Sequence, residues 1–163
     1  MKINRSPVVA LLWSICIPGF GQLYNRDYII GLLLVVLEII INVKASLNLA
    51  ILYSFRGQLL LSSQIVDYQW LLFYPCVYVY SVWQAYNQAQ ILNLPPQVDY
   101  VAISRYSGAL IGGAMGGTLG IIYIVTLGPI FGGILGMALG AAAGHMIEKV
   151  LKWADTLVCS RDR

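Results

Sequence analysis

Few side chains in this sequence have the chemistry for catalysis, and those few are scattered. His145 is the only histidine and follows Gly144 at the end of an apolar stretch, where an interfacial residue is the expected reading. Cys16, Cys76 and Cys159 have no CxxC spacing, and two of them sit inside apolar segments, so packing rather than metal binding or a disulfide framework is indicated. There is no Ser/His/Asp set and no HExxH, and the GxxxG runs lack the Lys-Ser/Thr that completes a phosphate-binding loop. Neither a metal nor a cofactor is expected, and the chain reads as a non-enzyme. One ionisable group remains. Glu38 lies in the middle of an apolar run, where a carboxylate is expensive and is by default a candidate intramembrane cation or proton site. Its alternatives are pairing with Arg26 or Lys44, or a neutral carboxyl hydrogen-bonded near Asn42.

The elements that would position these groups are set by composition. Of 163 residues, 59% are apolar and 10% charged, against roughly 45–50% and about 25% in soluble domains. No charge falls between Asp67 and Asp99, nor between Arg105 and Glu148, and the second gap has the length of two bilayer crossings at about 20 residues each. These features define an all-α, polytopic integral membrane protein with lipid as its surroundings. The net charge of +3 is small and the basic residues are dispersed, so no nucleic-acid footprint is present. The basic start of the chain resembles a signal peptide but lacks a small-x-small cleavage site, so the segment is expected to be retained.

Five apolar segments follow one another. The first, Val8 to Phe20, is too short to cross and is interrupted by Pro18-Gly19. The second is Tyr28 to Val43, and the third, Tyr68 to Tyr86, is rich in aromatic residues with a kink expected at Pro75. Residues 45–67 read as an interfacial helix, which with the rest of 1–90 makes one module, and 91–105 as a linker. The last two segments, Tyr106 to Leu127 and Ile130 to Ile147, form a hairpin over 106–152 about Gly128-Pro129, and 153–163 is a polar tail. If all five cross, Lys and Arg divide four against six. If the first is re-entrant or interfacial, Lys2, Arg5, Arg26, Arg105, Lys149, Lys152, Arg161 and Arg163 share one side, leaving Lys44 and Arg56 opposite. Basic residues concentrate on the cytoplasmic side, so this bias favours four full crossings plus a short N-terminal re-entrant or interfacial helix, with both termini cytoplasmic; five crossings is the alternative.

The hairpin carries the sharpest pattern. Gly108, Gly112, Gly116 and Gly120 recur every four residues, and Gly128, Gly132, Gly136, Gly140 and Gly144 do the same, with only Ile124 breaking the series. Spacing of four keeps the glycines on one slowly rotating stripe of each helix and opens a groove for another backbone. Each helix-interior glycine costs about 0.8–1 kcal/mol relative to alanine, so close packing must compensate. The two grooves either close on each other or leave a free face for a second copy. The second reading predicts a homo-oligomer, acting as a membrane assembly or, alternatively, as a pore with Glu38 attracting cations. The pattern resembles the glycine-zipper hairpins of bacterial envelope proteins and some oligomeric channels.

A second constellation lies near the N-terminus. Pro18, Gly19 and Gly21 end one helix and allow a reversal, while Gln22, Tyr24, Asn25, Arg26 and Asp27 follow with polar groups for the freed backbone and for nearby charges, Glu38 among them. This PGxGQxYN turn resembles that of small bacterial membrane proteins of the transmembrane-two domain family. The resemblance runs from about Ser6 to Gln90 and includes Ser81, Ala85 and Tyr86, with Gln84 where an acidic residue is common. It implies a membrane-embedded module of the bacterial inner membrane, in contact with lipid, and no assigned chemistry.

Overall fold

The computed structural model describes residues 4–95 and 105–161, and all its described secondary structure is helical. Lys2, Pro96, Asp99 and Arg163 lie outside these residues, as does most of the expected linker. Helix α1, Pro7–Cys16, starts from Ser6, whose side chain accepts from the Val9 amide at 3.4 Å, with Pro7 in the first turn. It stops because Ile17 precedes a proline and is extended, with φ −148° and ψ 120°. Ten residues reach only about 15 Å, half of the roughly 30 Å hydrocarbon core. Gly19, at φ +102°, reverses the chain into α2, Phe20–Tyr24.

Helix α2 runs back to the end at which α1 began. The Tyr24 hydroxyl lies 3.3 Å from the Ser6 amide, and the Arg5 guanidinium sits 4.9 Å over the Tyr24 ring. The α2 terminus is a Schellman turn: the Asp27 amide donates to the Gln22 carbonyl at 2.9 Å and the Arg26 amide to the Leu23 carbonyl at 3.0 Å, with Arg26 left-handed at φ 65°.

Helix α3, Tyr28–Ala45, then makes the full traverse and ends at a left-handed Ser46. Residues 45–67 do not form one interfacial helix. They fold into a hairpin of α4, Leu47–Phe55, and α5, Leu59–Ile65, turned at Gly57 and packed against the C-terminal hairpin. Ser54 and Ser62 bond to each other at 2.9 Å inside it, and Ser62 donates onward to the Ala50 carbonyl at 3.0 Å. Satisfying those hydroxyls within the chain is what allows the two serines to be buried between the arms of the hairpin.

The third apolar segment is likewise divided, into α6, Tyr68–Leu71, and α7, Tyr74–Leu92. Pro75 does not kink a helix; it opens one, in the first turn, where its missing amide has no partner to lose. Helix α8, Ser107–Tyr123, and α9, Gly128–Arg161, form the C-terminal hairpin about a short 3-10 turn at Val125–Leu127. Helix α7 is central and packs on α1, α2, α3 and α8. By length and composition, two helical stretches suffice to cross a membrane: Tyr28–Ala45 and Val125–Ala154.

The interior mixes an aliphatic cluster of Ile41, Leu47, Val66, Leu71, Ile121 and Ile130 with small and polar side chains, while the outside is unusually rich in large aliphatic groups. Alanines 10, 45, 50, 85 and 89 and serines 14, 54, 62 and 81 are buried, together with Gln22 and Asn25. Ile29, Leu32, Leu33, Val43, Leu60, Met115 and Leu139 face outward, Ile29 at 85% exposure.

Candidate functional site

The turn at Pro18–Asp27 is a polar plug set into the apolar bundle. Gln22 is wholly buried, its Nε2 donating to the Ser81 carbonyl at 2.8 Å and its Oε1 accepting from the hydroxyls of Ser14 and Ser81, each at 3.3 Å. The Gly19 amide, freed by the reversal, donates to Ser81 Oγ at 3.0 Å, and Asn25 Nδ2 reaches the Ala85 carbonyl at 2.8 Å. Gln22 and Asn25 therefore grip two carbonyls one turn apart on α7. Gly21 is obligatory because a Cβ there would strike the Ala10 carbonyl and Ser14 Oγ. Asp27 Oδ2 accepts from Gln84 Nε2 at 3.0 Å, which ties the end of the turn to α7. Of the eight turn residues, Gln22, Asn25 and Asp27 bond to α7 side chains or carbonyls, Tyr24 binds the N-terminal end of α1, and Arg26 occupies the left-handed cap.

A site that the sequence did not reveal lies farther along α7. Asn87, which no sequence motif singles out, is buried and holds the backbone of Arg105, accepting from its amide at 2.9 Å and donating to its carbonyl at 3.2 Å. Trp83 Nε1 donates to the same carbonyl at 2.9 Å. Asn93 pairs in the same two-way manner with Arg5. The signal, an asparagine in an otherwise helical continuation, was present, but its partner is eighteen residues away.

The hairpin glycines meet one another. A Cβ added at Gly108 would run into the carbonyl of Gly144, at Gly112 into Gly140, at Gly116 into Gly136 and at Gly120 into Gly132, and the same holds in reverse. Each zipper face thus occupies the other within one chain. Gly128 is not part of this contact: at φ +70° it makes the turn and faces Leu59. Ile124 breaks the series where α8 has already ended, so no glycine is needed there. Glu148 reaches from α9 to the start of α8, accepting from the Gly108 amide at 2.8 Å, and also pairs with Lys152. A carboxylate at a helix N-terminus satisfies an orphan amide and complements the helix dipole.

Glu38 meets neither Arg26 nor Lys44. Its Oε1 accepts from the Tyr74 hydroxyl at 3.4 Å, and its Oε2 is buried without a hydrogen-bond partner. Asn42 lies beside the Glu38 carboxyl as a second side-chain hydrogen-bonding group and also donates to Asn48 Oδ1 at 3.1 Å. His145 lies against the Tyr106 ring, centroids 5.1 Å apart. Cys16 and Cys76 are free, and no cluster of three metal-ligating side chains occurs among the described residues.

These features define a class, a helical bundle with polar groups and glycines inside and bulky aliphatic groups outside. No family model matches the chain, and no curated protein or solved structure matches it.

Proposed function

We propose that this protein is a non-enzymatic scaffold of the bacterial cytoplasmic membrane, with four crossings formed by α3, α7, α8 and α9 and both termini cytoplasmic. The observation that carries the reading is the apolar outer surface, on which Ile29, Leu32, Leu33, Val43 and Leu139 are exposed while Gln22, Asn25 and four serines are buried. Water would penalise that arrangement by about 25 cal/mol for each Å² of apolar surface left exposed, whereas a bilayer does not.

Helix α7 is polar for a crossing, yet Ser81, the Gln84 Nε2 and Asn87 are bonded to other parts of the chain, which lowers the cost of placing them at membrane depth. The return of α2 to the Arg5 end supports a re-entrant first segment and gathers Arg5, Arg26, Arg105, Lys149 and Lys152 on the side that the basic-residue bias makes cytoplasmic. The scaffold reading is favoured over enzyme or pore because the buried amides and serine hydroxyls of the plug are turned onto the chain's own backbone and hydroxyls. The glycine faces are filled by each other, so the zipper acts as an internal brace and the working unit is a single copy.

The test is the mass of the protein in nanodiscs with bound lipid subtracted, for the wild type and for Gly116→Leu. One 18.0 kDa chain per particle is the expected result. A closed multiple that Gly116→Leu dissociates would overturn it and return the glycines to an intermolecular role.

A further inference from the structure

We infer that the bundle holds one hydrocarbon chain of a membrane lipid in a lateral cavity between the end of α1 and α9. The inference rests on the membrane reading above. Because α1 stops at Cys16 and the chain turns back, the face of α7 beyond that point has no helix of the first segment over it. A cavity of about 600 Å³ occupies the space, bounded by Ile15 and Cys16 on α1, Tyr78 on α7, and Ile134, Met137 and Ala138 on α9. Ile15, Cys16 and Ile134 are also exposed on the outside of the bundle, which puts the mouth on the lipid-facing flank.

The wall chemistry selects the occupant. No charged side chain lines the cavity, and its two tyrosine hydroxyls are already donating, Tyr78 to the Ile15 carbonyl at 2.9 Å and Tyr74 to Glu38. A bound water needs two to four polar partners, and this wall does not offer them. A partner helix is excluded by size: at about 10–12 Å in width it would fill 600 Å³ within one to one and a half turns. A hydrocarbon chain is narrow, apolar and abundant at that depth, and the volume lies within the roughly 300–1,000 Å³ of ordinary ligand sites. The small residues Gly133, Ala138 and Ala141 are what keep the α9 wall open.

Two sources share this chemistry, the acyl chain of a phospholipid and the chain of a polyprenyl phosphate. Each, carrying a diazirine on its chain, is incorporated with the protein into nanodiscs, irradiated, and mapped by peptide mass spectrometry. Labelling at Tyr78 and Ile15 several-fold above that on the outer face of α3, at Ile29 to Leu33, is expected from at least one probe, and the probe that labels identifies the source. Ala138→Trp, which fills the cavity from α9, removes most of the Tyr78 label and leaves the α3 label unchanged, whereas Leu139→Trp, pointing outward, changes neither. Ile134→Trp at the rim is the second variant should Ala138→Trp fail to fold. Equal labelling of both faces, insensitivity to the filling variants, or a cross-linked peptide from another protein in the cavity overturns the proposal while leaving the membrane reading intact. No label on α3 or in the cavity from either probe overturns the membrane reading itself.

Discussion

Gln22 and Ser81 are held together by two hydrogen bonds: the Gln22 amide donates to the Ser81 carbonyl at 2.8 Å and the Ser81 hydroxyl donates to Gln22 Oε1 at 3.3 Å, while the same hydroxyl accepts from the Gly19 amide at 3.0 Å. A five-residue helix has too few internal bonds to persist alone, so α2 exists because α7 holds it.

Replacing Gln22 by Leu keeps the volume and removes the amide, leaving the Ser14 and Ser81 hydroxyls without that partner. A loss of about 1–3 kcal/mol in unfolding free energy is expected, the usual cost of orphaning buried polar groups. Thermal denaturation in detergent measures it, and an unchanged midpoint would show that the plug contributes nothing.

The zipper predicts a contrast between neighbouring glycines. Gly112→Ala drives a methyl into the Gly140 carbonyl, whereas Gly113→Ala meets side chains alone, Val79 at 3.2 Å and Ala141 at 3.4 Å. The first should destabilise by about 1–3 kcal/mol through overpacking against backbone. The second should fall below 1 kcal/mol, since alanine also has the better helix propensity. Equal effects in a paired unfolding experiment would contradict the pairing described.

Arg26 occupies a left-handed cap position that glycine fills at lower cost. Arg26→Gly should raise stability by about 1 kcal/mol, the penalty a side chain meets there. A lower melting temperature would instead assign the guanidinium a contact of its own.

The return of α2 sets a test of sidedness. Single cysteines at Arg5 and Arg26, in a background lacking the native three, should label from the same face of sealed vesicles, and cysteines at Lys44 and Arg56 from the other. Labelling of Arg5 and Arg26 from opposite faces would establish five crossings.

Glu38→Gln is expected to leave cation permeability of reconstituted liposomes at the wild-type level, as a scaffold requires. Tyr74→Phe, which strips the carboxylate of its hydroxyl donor, should cost about 1–3 kcal/mol in stability. A cation flux abolished by Glu38→Gln would move the protein into the transporter class.

Local signals in the sequence carried far. Pro18-Gly19 announces the reversal, and the four-residue glycine spacing announces two backbones in close contact, because both depend on features within one or two turns of helix. What spacing cannot specify is the partner. The glycine stripes were compatible with a neighbouring subunit and with each other, and only the antiparallel register of α8 and α9 joins Gly116 to Gly136. The same limit hid Asn87, whose partner Arg105 lies beyond the end of its helix, and the α4–α5 hairpin, whose polar composition argued for an exposed interface until Ser54 and Ser62 found each other. Pro75 differs for another reason: a proline within an apolar run opens a helix as readily as it bends one, and the choice depends on where the preceding helix stops, here at Leu71.

The even spacing of the glycine pairs means that the zipper by itself does not choose its own alignment. Sliding α8 along α9 by four residues, about 6 Å, would again set glycine against glycine, as teeth on two equal racks mesh at every step. What singles out the observed mesh is at its ends: Glu148 clasping the Gly108 amide at one, and the brief Ile124–Gly128 connection at the other. The hairpin is thus a ratchet held by two pawls, and a change that releases Glu148 loosens the alignment of the whole brace without touching a single glycine.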